Sequence, residues 1–225
     1  MALDAQNLTS RWVACAVVLE SLAILLHRHD LFSMHAAALA RNGRGLVVAA
    51  AADSGKSTLT FRLVQSGWDY LSDDTVLLRP SPDGVTVLGL RSHFSLDPEA
   101  EELFPGLSRG REASLLKEEK WAVNVEALYP KQRIDACRPE VLLFPTIVDA
   151  PESRIAPVSK AEAIGGLLAQ SSLARVKLDH AAAHVDVLGR LVRETDAYTL
   201  YAGRDILDDP TRADALLAPL LSATF

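Results

Sequence analysis

The octapeptide Ala50-Ala51-Ala52-Asp53-Ser54-Gly55-Lys56-Ser57 constrains this chain more than any other stretch. An apolar run, Gly45 to Ala50, leads into it, and a segment of helical pattern, Lys56 to Gln65, leads out. That context is what a phosphate-binding P-loop of the Walker A kind requires. A strand delivers the chain to a tight turn, and the backbone N–H groups of the turn converge on an anion. The helix that follows already favours negative charge at its N-terminus. On this reading Asp53, Ser54, Gly55, Lys56, Ser57 and Thr58 surround the phosphates. Lys56 reaches the β- and γ-phosphates, and the Ser57 hydroxyl sits on Mg²⁺. The first glycine of the pattern G-x-x-x-x-G-K-[ST] is replaced by Ala50, which a small residue with negative φ can do.

Seventeen residues past Lys56 lies an acidic pair, Asp73-Asp74, flanked by apolar and aromatic residues. Two adjacent carboxylates in such surroundings are costly to bury unless a cation or a proton pairs with them. An acidic residue near a P-loop can hold Mg²⁺ directly or through water. Side chains alternate along a strand, so both carboxylates face one site only if the strand ends or bulges there. That geometry would let Asp73 serve the metal and Asp74 serve a substrate hydroxyl. His35 is the third candidate, 21 residues before Lys56, on the strand expected to pair with the P-loop strand. His180 and His184 share an i, i+4 spacing, but no HExxH pattern and no third ligand accompany them.

Composition narrows the classes. Hydrophobic residues make up 49% and charged residues 23%, which argues against disorder. The net charge of −6, without a basic stripe, excludes nucleic acid as the expected partner. Cys15 and Cys137 suggest neither a metal motif nor a disulfide framework, and no export signal stands out. A cytoplasmic location is therefore expected. The apolar segment Trp12–Leu26 carries Glu20 mid-run and is short for a bilayer span. It reads as a buried helix ended by the polar cluster 27–30, and no membrane is expected as a partner.

Along the chain, Ser33–Ala40 reads as a strand, Asn42-Gly43 as a hairpin turn and Leu46–Ala50 as its return strand. The helix from Lys56 ends near Gly67. Trp68–Arg79 carries the acidic pair, Pro80–Gly84 is a turn, and Val85–Leu90 is another strand. Asp97–Phe104 reads as a short helix, Ser108–Lys120 as a charged surface loop, and Lys120–Val125 and Val141–Val148 as strands. Ser159–Ala169 reads as a helix with a Ser159/Glu162 capping box. Leu173–Arg193 has helical periodicity, Ala197–Ala202 is a strand, and Asp209–Leu221 is a terminal helix. Neither an internal repeat nor a long linker divides residues 1–225, so one catalytic domain is expected. It would carry an N-terminal helix at about 10–28 and a helical region at about 159–222.

His35, the loop ending Asp53-Ser-Gly-Lys-Ser57, and Asp73-Asp74 at these intervals resemble the HPr kinase/phosphorylase family. Residues 30–80 carry the resemblance well and 85–220 loosely. The stretch His35–Leu78 most resembles its smaller branch, which includes kinases that tailor ribosomally made peptides, and Arg138–Pro145 is similar too. The resemblance implies an α/β P-loop kinase fold related to phosphoenolpyruvate carboxykinase, with a mixed sheet and flanking helices. It implies ATP and Mg²⁺, and phosphoryl transfer to a serine hydroxyl of a peptide or protein. By position it makes Lys56 the phosphate lysine, Ser57 and Asp73 metal ligands, Asp74 the catalytic base and His35 its partner. The family often forms hexamers, which makes a homo-oligomer an expectation too. The N-terminal domain of the bifunctional enzymes and the signature of the phosphorylase activity are not recognisable. Two other readings stay open: a kinase of a small hydroxyl metabolite, and a nucleotide-binding regulatory module without turnover.

Overall fold

Apolar residues in the central strands are buried on both faces, which calls for cover on each side of a sheet. The computed structural model describes residues 17–18, 21–22, 25–51, 54–90, 93–96, 100–112, 121–171, 178–209 and 211–221. In chain order its strands are β1 (Phe32–Met34), β2 (Ala37–Arg41), β3 (Arg44–Val48), β4 (Asp69–Ser72), β5 (Val76–Ser81), β6 (Gly84–Gly89) and β7 (His93–Leu96). They continue with β8 (Arg111–Glu112), β9 (Trp121–Asn124), β10 (Ala136–Ile147), β11 (Arg154–Pro157) and β12 (Asp196–Ala202). The helices are α1 (Lys56–Gln65), α2 (Ala100–Leu103), α3 (Val125–Leu128), α4 (Lys160–Gln170), α5 (Leu178–Glu194), α6 (Asp205–Asp208) and α7 (Arg212–Leu217).

Nine strands form one mixed sheet. Its path runs β1-β5-β6-β10-β3-β2-β4, with β12 on β10 and β11 on β12. Strand β10 organises it. The Ala136–Cys137 end pairs antiparallel with β6, and the rest runs parallel to β3 on one side and β12 on the other. The β2–β3 hairpin closes through Asn42-Gly43, both at positive φ, as the dipeptide predicts. A second sheet, β7-β9-β8, is antiparallel.

Alternation along the central strands divides the core in two. Ala37, Leu39, Leu46, Val48, Val141 and Leu143 face a cluster containing α1, the small sheet and α7. Ala38, Ala40, Val47 and Leu142 face α4 and α5. The Ser159 hydroxyl and the Glu162 carboxylate form the expected capping box on α4. Helix α1 is fastened at its far end, where Arg62 lies over the Phe104 ring and donates to the Leu207 carbonyl.

Several elements depart from the sequence reading. The strand expected over Ser33–Ala40 breaks into β1 and β2, with His35 in the gap. The run Trp68–Arg79 breaks at residues 73–75. The expected loop 108–120 is ordered in its first part: Leu107–Gly110 forms a 3-10 turn and Arg111–Glu112 joins the small sheet. Residues 113–120 lie outside the described residues. Strand β11 was not anticipated. The terminal helix is shorter than expected, with 3-10 geometry over Ala218–Leu221 and Pro210 outside the described residues. The N-terminal segment is helical where described, and Val17, Val18, Leu22 and Leu25 are exposed; residues 10–16, 19–20 and 23–24 of the expected buried helix lie outside the described residues. No helix among the described residues is long and apolar enough to cross a membrane.

His184, on α5, is fully buried against His27 and Phe32. Burial first, and then His27, lower its imidazole from 6.5 to about 4. The unfolded chain binds a proton across that window and the fold does not. Stability from this group is thus complete above pH 6.5 and is lost as pH falls toward 4. A His184→Leu variant should show a shallower fall in urea midpoint than the parent between those two pH values. Parallel pH profiles would mean that His184 does not set this slope.

Candidate functional site

The turn after β3 ends at Gly55, which takes φ 79° and ψ 9° and stands directly before the first residue of α1. That left-handed conformation is why glycine occupies this position. The Ser54 hydroxyl donates to the Ala51 carbonyl at 2.8 Å and stiffens the turn from within. Ala50 is buried and does not take positive φ, so the site does not require a glycine there. Helix α1 begins with Lys56, lacks a side-chain cap and carries no acidic residue in its first turn. A cation at a helix N-terminus opposes the macrodipole, and an anion bound there would reverse the balance.

Lys56 is only 7% exposed. Its ammonium donates to the backbone carbonyl of Asp73, so the lysine at the start of α1 and the acidic turn are in contact. Strand β4 is not next to β3, because β2 lies between them. The long lysine side chain spans the gap that the sheet order leaves. Asp73 is 1% exposed, whereas the Asp74 side chain is 26% exposed. The Ser72 hydroxyl donates to the Thr75 carbonyl at 2.7 Å and closes the turn, and Thr75 Oγ1 donates to Asp74 Oδ2 at 3.2 Å. The strand ends at the acidic pair, which is the condition under which both carboxylates can serve one site.

His35 sits in the break between β1 and β2, and its N–H donates to the Gln170 carbonyl at the end of α4. Its Nδ1 lies 3.4 Å from Asp74 Oδ1, and its side chain is 38% exposed. The pair is reachable from solvent, unlike the buried couple of Lys56 and Asp73. His35 is therefore held by a strand break, not within the strand that pairs with β3.

The structure thus brings His35, Lys56, Asp73 and Asp74 together, beside the half-buried Ser54, Gly55, Ser57 and Thr58. Asp53 lies outside the described residues. Sequence reasoning passed over Tyr70, whose hydroxyl lies 3.5 Å from Asp73 Oδ1. A tyrosine three residues before the pair, in a strand that ends at it, was the available signal. Among the described residues no three His, Cys, Asp or Glu side chains cluster as a self-sufficient metal site. The oxygen donors here are carboxylates and a serine hydroxyl. Such hard oxygens suit Mg²⁺, which takes one or two carboxylates and completes its shell with phosphate and water. The ring of His184 is enclosed in the core with His27, and the His180 side chain is outside the described residues.

A family model described as SynChlorMet cassette protein ScmC matches residues 2–88. The match takes in the loop and the acidic pair but less than half of the chain. No curated protein matches. Among solved structures, the chain is similar to the Hpr(Ser) kinase/phosphatase from Coxiella burnetii, at 12% identity and a TM-score of 0.44. The alignment covers 83% of this chain and 94% of that one. A likeness at this level does not carry the function, which rests on the residues themselves.

Replacing Gly55 by alanine would place a Cβ in the left-handed region, with Ile147 Cδ1 3.4 Å away. Space is adequate, so the cost is conformational, about 1–2 kcal/mol. A Gly55→Ala variant should lose that much in chemical denaturation. An unchanged midpoint would mean that the turn adopts another conformation.

Proposed function

We propose that this chain is an ATP-dependent kinase that transfers the γ-phosphoryl group to a serine hydroxyl of a peptide or protein. The observation that carries the reading is the contact between the buried Lys56, at the start of α1, and the acidic turn whose Asp74 faces His35. Phosphate cradle and candidate base are thereby assembled in one place.

Each residue then has a chemical task. Lys56 offsets charge on the β- and γ-phosphates, and the backbone N–H groups at the start of α1 orient them. Asp74 accepts the proton of the serine hydroxyl as its oxygen bonds to the γ-phosphorus and the bond to the β,γ-bridging oxygen breaks, releasing ADP. His35 orients the Asp74 carboxylate from 3.4 Å. Ser57 and Asp73 would hold Mg²⁺, which offsets the charge on the transferring group when bound. The exposure of His35 and Asp74 leaves room for an acceptor to approach from outside. A small hydroxyl metabolite could approach the same way; a peptide is the reading supported by the resemblance to the peptide-tailoring branch. A binding module without turnover would have no use for a paired, accessible carboxylate beside the cradle.

Transfer from γ-labelled ATP to serine-containing peptides tests the reading directly. Lys56→Ala should weaken binding of a non-hydrolysable ATP analogue, measured by calorimetry, with the fold retained. Unchanged affinity would remove the P-loop assignment. Asp74→Asn should keep nucleotide binding and lose about 10²–10⁴-fold in transfer rate, because an amide cannot take the proton. Asp73→Asn should instead raise the Mg²⁺ concentration needed for half-maximal rate. Identical metal dependence and rate loss in the two variants would refute this division of labour. His35→Ala should cut the rate about 10–10³-fold with analogue affinity little changed. Normal kinetics with a lower melting temperature would make His35 a structural residue only.

A further inference from the structure

Asp73 is held at two points. Its carbonyl accepts the Lys56 ammonium. The Tyr70 hydroxyl faces its Oδ1 at 3.5 Å. The same hydroxyl lies 3.2 Å from the carbonyl of His93, the first residue of β7. A phenol has one proton, so the Asp73 carboxylate and the His93 carbonyl share a single donor.

Tyr70 itself has little freedom. Its side chain is fully buried, with the Phe94 ring 4.7 Å away. Its N–H donates to the Gln132 carbonyl at 2.6 Å, and its carbonyl accepts the Ile134 N–H at 2.9 Å. Rotation about the C–O bond is the motion left to the hydroxyl. A buried hydroxyl is costly unless partnered, and the partners here are Asp73 and the small sheet. That sheet is cross-tied: Glu112 of β8 receives His93 Nε2 at 2.9 Å and Asn124 Nδ2 at 2.8 Å.

We propose that Tyr70 is a positioning residue for Asp73: its hydroxyl sets the orientation of the carboxylate toward the metal and ties that carboxylate to the small sheet through the His93 carbonyl. The inference rests on the reading of Asp73 as a metal carboxylate. An ammonium has three donors, so Lys56 can turn toward phosphate, and the contact from Tyr70 then holds the Asp73 carboxylate independently of the lysine. The sheet that carries Arg111 and Glu112 thereby gains a direct connection to the metal side of the site.

The test uses the full chain, a non-hydrolysable ATP analogue and Mn²⁺ in place of Mg²⁺. Tyr70→Phe keeps the ring and removes the hydroxyl. It should weaken Mn²⁺ binding to the analogue complex about 10–100-fold, as the loss of a group that orients a metal ligand does. Affinity for the analogue without metal should stay within about twofold of the parent. Adding Tyr70→Phe to an Asp73→Asn variant should cost little more, because both act through one carboxylate. Phe94→Leu disturbs the same packing but spares the hydroxyl; it should lower the melting temperature and leave Mn²⁺ affinity alone. Parental Mn²⁺ affinity in Tyr70→Phe, full additivity with Asp73→Asn, or an equal loss in Phe94→Leu would each overturn the inference. A parent chain that binds neither analogue nor Mn²⁺ would instead overturn the proposed function, and the inference with it.

Discussion

The bond from the Lys56 ammonium to the Asp73 carbonyl is the interaction on which the candidate site depends. A buried ammonium is expensive without a partner, and this one finds a backbone oxygen in a turn that the sheet order does not place beside it. Three otherwise separate features are thereby joined: the left-handed turn at Gly55, the start of α1, and the end of β4. Phe61, Leu63 and Val64 fix α1 on the sheet, and the Ser72–Thr75 bond fixes the acidic turn, so the lysine connects two supports that are each already rigid. The cation also stands at the end of the helix dipole that least favours it.

The division of exposure within the site has a chemical meaning. Lys56 and Asp73 are withdrawn from solvent, where their fields are less screened and their positions more fixed. His35 and Asp74 remain accessible to solvent. Neighbouring residues in sequence, Asp73 and Asp74, thus fall into different environments because the strand ends between Ser72 and the turn. Tyr70 adds a third level: it is fully buried, yet its hydroxyl reaches the carboxylate of Asp73 and the carbonyl of His93 together.

Local chemistry made much of this legible. The Asn42-Gly43 turn, the helix from Lys56 and the capping box at Ser159 were readable because each is decided by neighbours a few residues apart. Two-sided burial in β3 and β10 was readable as continuous apolar runs. What escaped was set by distant partners. The break at His35 follows from a backbone bond to Gln170, and Met34 bridges to Ser171, neither visible in the local pattern. The ordered part of the charged segment after Gly106 depends on pairing with β9 and on Arg111 stacking over Trp121.

Strand β10 gives the fold a temporal order. The β2–β3 hairpin is a local structure and can close as soon as residue 48 exists. Its second neighbour arrives about 95 residues later, when Leu143 pairs beside Val48. Until then one edge of β3 is open, and the turn before α1 hangs from a ribbon with a single partner. On a ribosome, the chain would expose that apolar edge throughout synthesis of the intervening segment. The turn at Gly55 would thus exist well before the strand that fixes its support.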